Sequence, residues 1–378
     1  MPSREATHAG SWYSDDGPTL SHQLDRWLDQ VPDEIEGVGK LPVSGARIII
    51  APHAGYAYSG PCAAYAYKSL DLSKAKRIFL IGPSHHHPLS TLALSQLTGY
   101  STPLSSDPLP VDTELIAHLQ TLSSTSRFTT MSRSVDEAEH SLELHLPYIH
   151  HLLRRQFPSS STSAYPPLVP IMVGSTSAPT ERAFGGILAP YLADPENAFI
   201  ISSDFCHWGL RFAYTYYTPD APAPAPELPL SFTALPQPSK ELTPEIASND
   251  VDALTAGTML RSPNRVAKGP QVPTIHESIS ACDIGCMKAI ASGDMQVFLD
   301  ALRETGNTVC GRHPIGVIMA ALEVVRGEAK GDDGGNAEGG QEGKLEKGKF
   351  YFLRYERSSD VVVVQDSSVS YVSAFAVL

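Results

Sequence analysis

The chain has 378 residues, of which 42% are hydrophobic, and a formal net charge of −13. That apolar content supports a substantial core and excludes a wholly disordered chain. The acidic balance, 41 Asp and Glu against 28 Lys and Arg, argues against a chain-wide electrostatic grip on nucleic acid or anionic lipid. Part of it is local, in the Gly- and acid-rich stretch 327–348, read as a solvated loop, so net charge says little about a substrate.

In chain order, Leu20, Leu24, Trp27 and Leu28 recur at helical spacing and predict a helix over 18–30. Ile48-Ile49-Ile50-Ala51-Pro52 then leads to His53, and a small-residue helix carrying Ala63, Ala64 and Ala66 follows. Ile78-Phe79-Leu80-Ile81-Gly82-Pro83-Ser84 leads to His85, with His86 and His87 behind it. A strand is expected within 91–97, helices over 112–122 and 138–153, a strand over 168–173 and a helix over 180–192. Phe199-Ile200-Ile201-Ser202-Ser203 runs into Asp204-Phe205-Cys206-His207. Beyond a proline-rich stretch at 218–244 and a polar one at 261–273, helices are expected near 276–291, 295–305 and after His313. Strands are expected over 350–355 and 369–377. The alternation predicts one α/β domain over 1–378, a layered α/β/α architecture with a mixed, largely parallel sheet. Its loop insertions fall at about 218–244, 261–273 and 327–348.

Three of the apolar runs end in histidine. Each is uncharged and bounded by Gly, Pro or Ser, as strands buried on both faces are. Ligands of open α/β sheets sit outside the carboxyl ends of the strands, so these imidazoles predict one shared polar pocket. Neutral imidazole is a metal ligand and a base near neutral pH. Asp204 and His207 lie close enough in sequence for a carboxylate to orient an imidazole, the alternative being an Asp that caps the next turn. Cys310 precedes an apolar helix with Arg312 and His313 beside it, a setting that depresses a thiol pKa and suits a metal ligand or a nucleophile. Cys282 and Cys286, four apart, predict one core face of a helix; Cys62 and Cys206 are weaker candidates. Glu139-His140-Ser141-Leu142-Glu143-Leu144-His145 does not match H-E-x-x-H and reads as helix polarity, with His140 and His145 as secondary pocket-lining candidates. Five scattered cysteines, an N-terminus without an apolar leader and no run of spanning length predict a reducing compartment, cytoplasmic or nuclear, and no membrane span.

The phrases Arg4–Tyr13 (REATHAGSWY), Ile49–Gly60 (IIAPHAGYAYSG), Arg77–Ser90 (RIFLIGPSHHHPLS) and Asp136–Tyr148 (DEAEHSLELHLPY) together resemble the Memo family. Ser202–Gly209 (SSDFCHWG), Thr308–Gly316 (TVCGRHPIG) and Gln365–Tyr371 (QDSSVSY) continue the resemblance, in order, over nearly the whole chain. It implies a fold similar to the extradiol ring-cleaving dioxygenases that use non-haem Fe(II). It further implies that His53, His85 and Cys310 line a site for Fe(II) or copper, with Asp204 and His207 beside it. A cysteine then stands where those dioxygenases carry a carboxylate; thiolate is softer, accommodates copper and is itself oxidised, which argues against ring cleavage. By the same resemblance the partners are phosphorylated receptor or signalling peptides and cytoskeletal regulators in cell motility, not nucleic acid.

Three functions are therefore open. The first is a metal-binding, redox-linked signalling protein, as a metal-dependent oxidoreductase or without turnover. The second is a non-enzymatic adaptor that binds phosphotyrosine-type or acidic peptides in the same pocket, with Arg312 and helix N-terminal amides for the anion and Tyr56 and Tyr58 at the rim. The third is a metal-free thiol hydrolase with Cys310 as nucleophile, His207 as base and Asp204 as its orienter.

Overall fold

The uncharged runs form the middle of a nine-stranded sheet in a computed structural model that describes residues 2–122, 128–158, 160–219, 221, 257–260, 273–332 and 345–378. Its strands are β1 (Ala46–Ala51), β2 (Arg77–Pro83), β3 (Leu92–Leu94), β4 (Thr129–Thr130) and β5 (Leu168–Val173). They continue with β6 (Asn197–Ser202), β7 (His207–Trp208), β8 (Phe350–Arg357) and β9 (Ser368–Val377). The spatial order is β7-β9-β1-β6-β2-β5-β3-β4, with β8 paired to β9. β1, β6, β2 and β5 are mutually parallel; β9 and β3 flank them antiparallel. Every residue of β1 and β6 is buried, which is why these strands read as continuous apolar runs rather than alternating ones. The registers Ile50↔Ile201 and Ile201↔Ile81 bring the carboxyl ends of β1, β6 and β2 side by side.

The helices are α1 (Gly17–Gln30), α2 (Tyr56–Ser69), α3 (Thr113–Leu119), α4 (Arg133–Ala138), α5 (His140–Glu143) and α6 (Leu146–Gln156). They continue with α7 (Ala178–Ala193), α8 (Ile275–Ala291), α9 (Met295–Thr305) and α10 (Arg312–Asp332). α2 packs on β1, β8 and β9, while α7 and α10 pack on each other and on β6, so helices flank the sheet as the sequence predicts. α7 and α10 approach closely at Gly185, where a Cβ would stand 2.7 Å from Ala320 Cβ and 2.8 Å from Ala321 N. Arg47 at the head of β1 donates to the carbonyls of Leu192, Asp194 and Asn197, satisfying the end of α7.

Two boundaries differ from expectation. The single helix predicted over 138–153 is three pieces, because Glu139 is extended (φ −89°, ψ 121°) and its carboxylate caps α5 by accepting from Ser141 N at 2.9 Å. Pro147 then opens α6, where a proline is tolerated because its missing N–H would have no partner. The solvated loop predicted from 327 begins later, since α10 continues to Asp332. Residues 333–344 of that loop and most of the proline-rich and polar stretches lie outside the described residues.

Candidate metal centre

The turn after β1 delivers His53 and the turn after β2 delivers His85; the break between α4 and α5 delivers His140. One ligand atom from each of these imidazoles lies within 4.8 Å of the others. His85 and His140 stack with ring centroids 4.5 Å apart, and Trp12 covers His140 from another side, also at 4.5 Å. Cys310 Sγ lies 3.2 Å from His53 Nε2. Among the described residues His53, His85 and His140 form the one group of three or more ligand-bearing side chains set for a metal ion.

The surroundings set the tautomers. Ser202 Oγ gives its only proton to the Ser141 carbonyl at 2.7 Å, so the 2.6 Å contact with His53 Nδ1 requires that nitrogen to carry hydrogen. His53 Nε2, facing Cys310, is left with its lone pair. Glu139 orients His85 in the same way: Oε1 accepts from Nδ1 at 2.9 Å and Oε2 accepts from the backbone N–H at 2.6 Å, so Nε2 is the nitrogen turned away from the carboxylate. Burial raises the Glu139 carboxyl, but its hydrogen bond and charge interaction with His85 outweigh that and hold it at about 2. His140 Nδ1 is buried without a hydrogen-bond partner, with Glu139 Oε1 3.5 Å away. Burial, reinforced by His85, lowers the His140 pKa to about 3 and pushes His53 down as well, so both imidazoles are neutral at pH 7. Three imidazoles and a neighbouring sulfur form a donor set that fits Fe(II) or copper.

Other expected roles are placed differently. Asp204 and His207 are not joined by a hydrogen bond among the described residues: Asp204 Oδ1 accepts from His53 N at 2.9 Å, and His207 Nδ1 donates to the Phe205 carbonyl at 2.9 Å. The chain crosses between them from the middle of the sheet to its edge strand β7, so the two side chains meet different partners. Burial lifts the Asp204 carboxyl to about 7. The Cys310 thiol is not depressed: burial pushes it up and the Asp204 charge pushes the same way, outweighing the backbone hydrogen bonds at Asp204 and Gly311 that lower it. Its sulfur meets His53 rather than His207, so the arrangement expected of a Cys-His-Asp hydrolase is not the one built here. Tyr56 is buried and gives its hydroxyl to the Leu144 carbonyl at 2.6 Å, so it is no rim residue. Tyr58, 49% exposed, borders a cavity of about 530 Å³ with Trp12, Arg211 and Tyr371. Arg312 lines a different cavity, of about 380 Å³, with His85, Cys310 and His313. Tyr58 and Arg312 are thus not brought together. Cys282 and Cys286 are buried core residues of α8, and all five cysteines are free.

His140 is the site residue that sequence reasoning left secondary. The signal was Pro147 inside the expected helix, which marks a helix start rather than an interior and so a break before it.

Fold and site together define a layered α/β protein with a histidine cluster at the carboxyl ends of its parallel strands. A family profile described as "Memo-like protein" matches residues 4–375. Protein MEMO1 of Homo sapiens and of Mus musculus are each 38% identical over 97% of this chain and 95% of their own. A MEMO1 family protein of Schizosaccharomyces pombe is 36% identical over 99% and 98%. The chain belongs to the Memo family. A crystal structure of an uncharacterized protein from Escherichia coli K12 covers 86% of this chain and 98% of its own at 12% identity, with a TM-score of 0.36, too slight a likeness to build on. No described helix is long and apolar enough to cross a membrane.

Proposed function

We propose that this Memo-family chain is a metal-binding protein whose His53, His85 and His140 imidazoles, with the Cys310 thiolate, hold Fe(II) or copper in a redox-linked signalling role. The observation that carries it is the convergence of three imidazoles within 4.8 Å, two of them with the outer nitrogen already spent on Ser202 and Glu139. Such outer partners are what orient ligating histidines in metal proteins. A bound metal of this kind supplies one-electron chemistry and Lewis acidity. The residues themselves orient and desolvate: Ser202 and Glu139 fix the rings, Trp12 covers His140, and Asp204, raised by burial, stores a proton beside His53. Cell motility and cytoskeletal control are the biological setting we attach to this chemistry, in the cytoplasm.

Metal content of untagged protein tests the proposal, compared with the paired His53→Ala, His85→Ala variant and with His140→Ala and Cys310→Ser. The wild type should retain stoichiometric iron or copper and the paired variant none; equal content would overturn the reading.

A second reading is favoured by the other cavity. Trp12 and Tyr58 are exposed aromatics beside Arg211, a surface suited to a phosphotyrosine-type peptide lying against the same histidine cluster. Peptide binding that persists in the metal-free paired variant would support an adaptor role independent of metal.

A further inference from the structure

The carboxylate–imidazole pair that the sequence suggested at Asp204 and His207 exists elsewhere in the molecule. His313, in the first turn of α10, donates from Nδ1 to Glu181 Oε1 of α7 at 2.7 Å. Thr176 Oγ1 donates to the same oxygen at 3.0 Å. Glu181 is 2% exposed, and its other oxygen has no hydrogen-bond partner in the described structure. Gly316 leaves room for that oxygen: a Cβ there would lie 2.5 Å from Glu181 Oε2. Because Nδ1 holds the proton, His313 Nε2 accepts, and it does so from Arg312 Nε at 3.2 Å. A chain of hydrogen bonds thus runs from a buried carboxylate out to an exposed guanidinium.

That guanidinium has no described carboxylate partner. It borders the 380 Å³ cavity that also holds His85, Cys310, Ser84, Ser175 and Thr308. None of the described residues lining this cavity is acidic, in a chain with 13 more acidic than basic side chains. The volume suits a small molecule. Arginine with one nitrogen anchored presents its remaining donors in a fixed fork, the geometry that fits carboxylate or phosphate oxygens.

We infer that Thr176, Glu181 and His313 are positioning residues that hold Arg312 as the anion-binding group of this cavity, and that the ligand is a small carboxylate or phosphate. The inference rests on the reading of the adjoining cluster as the functional site, but the anion contact itself needs no metal. The ligand's charged end would sit at Arg312, with its remainder toward His85 and Cys310.

The test titrates metal-free protein with inorganic phosphate and, separately, with succinate, by calorimetry. A parallel set uses copper-loaded protein, so that loss of metal binding and loss of anion binding read out independently. Wild type should bind at least one of the two anions, and Arg312→Ala, an exposed substitution, should weaken that binding about tenfold or more. His313→Leu should weaken it several-fold, and His313→Gln, whose amide can donate to Glu181 and accept from Arg312, should restore most of the loss. Binding of neither anion, equal affinity in Arg312→Ala, or equal defects in the Leu and Gln variants would each overturn the inference. So would binding of a phosphotyrosine peptide alone, which would move recognition to the Tyr58 cavity.

Discussion

Ser202→Ala removes one hydroxyl and should change two measurable quantities. Ser202 Oγ lies 2.6 Å from His53 Nδ1 and 2.7 Å from the Ser141 carbonyl, and all of these groups are buried. Without it, the imidazole N–H and the carbonyl are left unsatisfied at about 1–3 kcal/mol each, less what local relaxation recovers, for a net loss of roughly 2–4 kcal/mol. The second effect is on the tautomer. With no acceptor at Nδ1, the His53 proton is free to move to Nε2, the nitrogen that faces Cys310, and a protonated nitrogen cannot ligate. Loss of such an outer partner typically costs about 10–100-fold in metal affinity. Urea unfolding of metal-free protein measures the first effect, and copper competition against a chelator of known affinity measures the second. A folded Ser202→Ala protein that binds copper within about twofold of wild type, against the tenfold minimum expected, would refute the assignment of Nε2 as the ligand atom.

Gly311→Ala should displace Cys310, because a Cβ at residue 311 would collide with Ser203 Cβ and stand 2.5 Å from the Ser202 carbonyl oxygen. Overpacking of this kind costs about 1–3 kcal/mol, read as a fall in Tm, and copper affinity should fall with it; an unchanged Tm would show that the loop relaxes freely. Arg4 is fully buried between Asp136 and Glu143, so Arg4→Met should destabilise by about 3–5 kcal/mol in urea unfolding, as stranded buried carboxylates do. Glu143 gives a pH signature. Burial raises its pKa, but His8 and Arg4 outweigh burial and hold it at about 2 against an ordinary 4.5. A lowered folded pKa means stability that is present above pH 4.5 and lost as pH falls toward 2, about 3 kcal/mol in all. Unfolding measured from pH 7 to pH 3 should show this loss in wild type and a flatter acid limb in Glu143→Gln; parallel limbs would contradict it.

The order of sheet strands was not readable from the chain, yet the identity of its central members was. Strands buried on both faces carry near-continuous apolar runs, and β1, β2 and β6 could be picked out by theirs. Residues at their ends follow from local sequence, so His53 and His85 were named correctly as strand-end groups. What local pattern could not supply was which polar groups meet. Asp204 and His207 are three residues apart and face different partners, whereas Glu181 and His313 are 132 apart and share a proton. Helical periodicity concealed the break at Glu139, because a carboxylate that caps one helix and grips a histidine in another loop has the same sequence signature as a solvated helix face.

The sequence by itself therefore determined the family, the layered α/β architecture and two of the strand-end imidazoles, since each depends on composition and short-range pattern. Tertiary structure alone decided the rest of the site. It brought His140 to His53 and His85, set the tautomers through Ser202 and Glu139, and raised rather than lowered the Cys310 thiol. These outcomes depend on desolvation and on partners 50 to 260 residues distant, about which nearest-neighbour chemistry carries no information.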